Sequence, residues 1–101
     1  MTARHASTFL VERYIARPTG ASLAASVARL ANACKDSERQ GSDEVTYLHS
    51  TYLPAEDICF CVFQALTSAA VELVNHAADF RVDRVTEVHP LYPLSLTGDE
   101  A

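Results

Sequence analysis

Two strand-like runs, Glu44 to Leu53 and Asp57 to Ala65, are joined only by Pro54, Ala55 and Glu56. So short a connection makes a hairpin, and the two strands must pair antiparallel. On either side of it lies an apolar stripe of helical period. The first is Leu23, Val27, Leu30 and Cys34, with Thr19 or Ser22 as N-cap and an end near Arg39 to Gly41; the second is Ala70, Val71, Val74, Ala77 and Ala78, entered at Thr67 or Ser68. Outside these stripes, Ser7 to Tyr14 and Val82 to Val88 are dense in β-branched and aromatic residues and read as the outer strands.

The order strand, helix, hairpin, helix, strand predicts an α+β ferredoxin-like fold, βαββαβ. Its antiparallel sheet has four strands in the spatial order four, one, three, two, and both helices cover one face. A chain of 101 residues has room for one core, so a single domain over 1–101 is expected, with its core at about 7–90. The extended tail, 91–101, follows Pro90 and carries Pro93, which argue against helix, among Leu91, Tyr92, Leu94 and Leu96, which argue that it lies on something.

Apolar residues at 49% and charged residues at 21% describe an ordinary folded chain. A net charge of -5, with 8 Lys and Arg scattered singly, gathers no positive field for phosphates, so nucleic acid is not an expected partner. No apolar run approaches the roughly 20 residues of a bilayer span, and Met1 to Ser7 lack a signal-peptide core. A cytoplasmic location without membrane contact follows as the expectation. All 3 cysteines read as reduced thiols, and no Cys-x-x-Cys zinc spacing is present.

Side chains alternate along a strand, so each strand divides into two sets. Phe9, Val11, Leu48, Ile58, Phe60, Val62 and Val88 form a helix-side set. Opposite them would stand Leu10, Glu12, Tyr14, Val45, Tyr47, His49, Thr51, Cys59, Cys61, Phe63, Val85, Glu87 and His89. That face is too apolar for water, and a symmetric homodimer packed sheet against sheet, like a dimeric α/β barrel, would cover it.

Glu12, His49, Cys61 and Glu87 would be polar groups trapped in the covered layer. A hairpin centred on Ala55 sets His49 opposite Cys61 with Cα atoms about 4.5 to 5.5 Å apart, close enough to share a metal ion. A turn displaced by one centre would offer Cys59 instead. Glu87 and His49 would lie about 14 Å apart, so one ion needs a subset of the row or ligands from a second subunit. His89 is a further candidate. Imidazole with thiolate favours nickel, zinc or copper over magnesium or calcium.

Phe-Leu-Val-Glu-Arg at 9–13, Val-Thr-Tyr-Leu-His-Ser at 45–50, Cys-Val-Phe-Gln-Ala at 61–65 and Val-Asp-Arg-Val-Thr-Glu-Val at 82–88 resemble the small nickel-binding or nickel-responsive domains of unknown function. The resemblance runs from Thr8 to Val88. It implies a ferredoxin-like homodimer in nickel homeostasis or sensing, and it maps the family pattern onto Glu12, His49, Cys61 and Glu87. Departures are Tyr47 in place of a common Trp, Phe63 in place of a common Tyr, and Leu66-Thr67-Ser68 where the family has a proline-containing helix entry.

Two other classes fit the same residues. A cofactor-independent isomerase, cyclase or oxygenase would hold an aromatic substrate with Tyr14, Tyr47 and Phe63 and move protons with Glu12 and His49. A structural or regulatory dimerisation module would need neither metal nor substrate. The sequence contains no organic-cofactor fingerprint.

Overall fold

The computed structural model describes residues 6–39, 41 and 44–93. Its elements are β1 (Ser7–Tyr14), α1 (Gly20–Arg39), β2 (Val45–Leu53), β3 (Ile58–Ala65), α2 (Ser68–Ala77) and β4 (Arg84–Val88). The sheet is antiparallel throughout, in the order β2-β3-β1-β4. This is the expected α+β ferredoxin-like arrangement. Leu94 and Leu96 of the expected tail lie outside the described residues.

Each helix starts where a threonine satisfies an orphan amide. Thr19 accepts from the Ser22 amide through Oγ1 at 3.0 Å, and Thr67 Oγ1 accepts from Ala70 at 3.1 Å. Leu30 and Cys34 of α1 and Ala70, Val71 and Val74 of α2 are buried as their stripes predict, whereas Ala77 is exposed. After α2 the chain reverses at Asp79, in the left-handed region with φ 55, and delivers Phe80 into the core.

The hairpin differs from expectation in one detail with large consequences. Leu53 pairs directly with Ile58, so the loop holds Pro54, Ala55, Glu56 and Asp57, closed by Glu56 N–H donating to Leu53 O at 3.1 Å. Asp57 takes a left-handed φ of 54 and anchors the turn to the end of β1 through its carbonyl, which accepts from Ile15 at 2.9 Å. One extra residue therefore enters the loop, and a bulge between Tyr47 and His49 absorbs the displacement. From Val45 to Tyr47 the Ala55-centred register holds; from His49 to Leu53 it is off by one.

The register fixes both faces. Phe9, Val11 and Arg13 of β1 sit beside Phe63, Cys61 and Cys59 of β3, and all six are buried under the helices. Val45, Tyr47 and Ser50 of β2 and Val85 of β4 join them on that side. Ile58, Phe60, Val62 and Val88, expected beneath the helices, instead share the open face with Leu10, Glu12 and Tyr14. Because β3 is apolar on both sides, bulk alone misassigned it; the pairing with β1 decides its phase. Complete burial of Val11, Leu30, Val45, Phe63 and Val71 supplies about 1.5 to 3 kcal/mol each.

Candidate functional site

The open face is a set of cross-strand rows. His49, Val62, Leu10 and Thr86 form one, Thr51, Phe60, Glu12 and Arg84 the next, and Gln64, Thr8 and Val88 lie on the other side of the first. Arg84 pairs with Glu12 at 3.8 Å. Arg84 is well exposed, so that pair contributes about 0 to 1 kcal/mol.

Two imidazoles share a groove of about 490 Å³ across this face. Leu48 and His49 line it at the β2 edge, Val62, Gln64 and Thr8 form its floor, and Val88, His89, Pro90 and Tyr92 close it at the β4 edge. Three strand spacings, about 14 Å, lie between β2 and β4, which carry the two histidines to the groove, and Glu12 lies about 12 Å from His49 by strand spacing and rise. A single ion cannot bridge these groups within one chain. Among the described residues no three His, Cys, Asp or Glu side chains gather closely enough to hold a metal ion.

The expected row of Glu12, His49, Cys61 and Glu87 is thus not brought together. His49 stands opposite Val62, and Ser50, not His49, stands opposite Cys61. The bulge at Leu48 is the cause, because a one-residue slip exchanges the faces. Glu87 pairs with Phe9, which puts it on the helix side, where it is exposed at the sheet edge. The aromatic lining of the enzyme reading is not assembled either, since Tyr47 packs on Phe63 on the helix side, rings 5.7 Å apart, while Tyr14 is on the open face.

Sequence reasoning missed a polar cluster beneath the helices. Arg13 is completely buried, with Nη1 donating to Arg81 O and Nη2 to Asn75 Oδ1, both at 2.8 Å, and its guanidinium 3.7 Å from the Phe80 ring centroid. Asn75, also fully buried, is held by its own donation to Val71 O at 2.8 Å. On the same floor Ser50 Oγ donates to Cys61 Sγ at 2.9 Å, and Tyr47 and Ser50 hydroxyls bond at 2.7 Å. A hydrogen bond from the Cys59 thiol holds Cys61 below the usual thiol range, helped by the Arg13 charge and by Ser50; the same bond, with burial, pushes Cys59 well above it. The signal was available: alternation puts Arg13 on the face of Phe9 and Val11.

Cys34 belongs to none of this. Burial first, and Glu38 second, push its thiol up to about 11, as for a small core side chain.

Residues 9–88 match the family model of the SCO4226-like nickel-responsive proteins. The chain belongs to this family. A solved structure, SCO4226 from Streptomyces coelicolor A3(2), shares the fold with a TM-score of 0.71 at 20% identity, covering 86% of this chain and all of that one. No curated protein matches the chain. The span matched to the SCO4226-like family contains Glu12, His49, Cys61 and Glu87, and stops one residue short of His89. Both faces of the sheet fall within it, so membership alone does not select between the open face and the buried cluster. None of the described helices is long and apolar enough to cross a membrane.

Proposed function

We propose that this SCO4226-like chain is a nickel-binding protein of metal homeostasis or sensing, which works in the cytoplasm as a homodimer joined through the open face of its sheet. Family membership supports the metal. The observation that carries the site is the groove: His49 and His89 both line it on the open face, and one chain offers no complete ligand set there among its described residues. A second copy packed on that face would bury Leu10, Phe60 and Val62 and bring a second group of imidazoles and carboxylates to the first. His49 and His89 are the imidazole ligands, and Glu12 is the nearest carboxylate on the same face. Cys61 and Glu87, on the other side of the sheet, take no part.

Equilibrium dialysis with nickel tests this on three proteins. The wild type binds nickel, Cys61→Ser binds with unchanged stoichiometry, and His49→Ala loses at least tenfold in affinity. Wild-type affinity in His49→Ala removes the open face as the site. Absence of nickel from the wild type removes the function.

A further inference from the structure

Two large apolar side chains stand in water just past β4: Leu91 is 92% exposed and Tyr92 82%. Pro90 and Pro93 flank them, stiffen the segment and keep it out of helix. Tyr92 helps to form the β4 wall of the open-face groove, yet its own chain leaves most of the ring bare. At the other end of the same groove Leu48, on β2, is exposed as well. Leu48, Leu91 and Tyr92 are three of the five large apolar side chains exposed among the described residues, so the uncovered apolar surface gathers at the two ends of one groove, as at an interaction site. The SCO4226-like match ends at Val88, and the segment 90–93 lies outside it.

From this we infer that the segment 90–93 of each copy is a strap that crosses to a second copy and seats Leu91 and Tyr92 on Leu48, closing the β2 end of the partner's groove over His49. The inference rests on the open-face homodimer proposed above and adds an exchange of tails to it. Symmetry selects the pairing. The sheet order is β2-β3-β1-β4, so its middle lies between β3 and β1. A two-fold axis between the two sheets, running along the strands at that middle, keeps the strands aligned and reverses the order across the sheet. The β4 end of one copy then lies over the β2 end of the other, and the contact is made twice, as isologous packing requires. An axis across the strands would lay tail on tail and leave Leu48 bare. Seating within one chain is the alternative that the fold already displays: with the segment at its own β4 edge, both side chains remain in water. Only the exchanged arrangement covers all three exposed side chains at once.

Photo-cross-linking of the metal-free full chain tests the strap, with p-benzoylphenylalanine in place of Tyr92 and an equal mixture of unlabelled and isotopically labelled protein. The expected product joins a labelled to an unlabelled chain, and fragmentation maps the bond to Leu48 or His49. In sedimentation velocity the double variant Leu91→Ala, Tyr92→Ala dimerises roughly tenfold or more weakly than the wild type. Both side chains are exposed in the single chain, so their truncation leaves the fold intact. Bonds within one chain only, bonds to the partner's tail, no bond, or a double variant that dimerises as tightly as the wild type overturns the strap. Phe60→Glu keeps the two readings apart. A dimer lost in Phe60→Glu but unchanged in the double variant sinks the strap alone. A dimer that survives Phe60→Glu but weakens in the double variant sinks the open-face packing and leaves the strap standing.

Discussion

Replacing Arg13 with methionine keeps the apolar stem of the side chain and deletes its charge and both of its hydrogen bonds. Asn75 Oδ1 and Arg81 O lose their donors, and a buried stranded acceptor costs about 1 to 3 kcal/mol. The cation held over Phe80 contributes about 1 to 2 kcal/mol more. Against these losses stand the unbonded Nε, which no longer has to be buried, and the desolvation of the guanidinium itself. The net expectation is a destabilisation of about 3 to 5 kcal/mol, set mainly by the two stranded acceptors and the lost contact over the Phe80 ring. Urea unfolding followed by far-ultraviolet circular dichroism measures it. With a slope of about 1 to 2 kcal/mol per molar for a domain of this size, the midpoint falls by about 2 M or more. A loss under about 1 kcal/mol would refute the reasoning that the buried guanidinium holds Asn75 and the Arg81 carbonyl together.

Three further outcomes follow from particular contacts. Phe60→Glu places a carboxylate in the centre of the apolar open face and converts the proposed dimer to monomer in sedimentation velocity at micromolar concentration, while circular dichroism stays that of the folded chain. Thr67→Ala deletes the cap of α2 and costs about 1 kcal/mol in the same urea titration. The Cys34 thiol is raised by burial from 9.0 to about 11, so its share of stability is complete below pH 9 and is lost as the pH rises toward 11. Over that interval the wild type falls by about 2 to 3 kcal/mol more than Cys34→Ala, measured as the difference between their unfolding free energies.

Element order, helix faces and sheet topology were legible because each rests on a local signal: stripe period, threonine caps, and a short connection at Pro54. The phase of β3 was not. Ile58, Phe60 and Val62 and the alternate set Cys59, Cys61 and Phe63 are both apolar, so alternation ranks neither face, and the choice is made by pairing with β1. That pairing admits Arg13 beneath the helices between two small thiols, against the ordinary rule that charge stays outside. Nor did the sequence declare the fourth loop residue, Asp57, whose left-handed conformation would suggest glycine or asparagine. That single residue, absorbed by the bulge, shifts His49 from Cys61 to Val62 and so leaves the imidazole and the thiol on opposite sides of the sheet. Glu12, His49 and Leu10 were placed correctly because β1 and the distal half of β2 have one polar side.

Native mass spectrometry of the untagged protein with nickel puts the shared open-face site to its most direct test. Nickel carried by the dimer and absent from the monomer, with the dimer peak lost in Phe60→Glu, is the expected spectrum. Nickel bound one to one on monomers, and unaffected by that substitution, would contradict it.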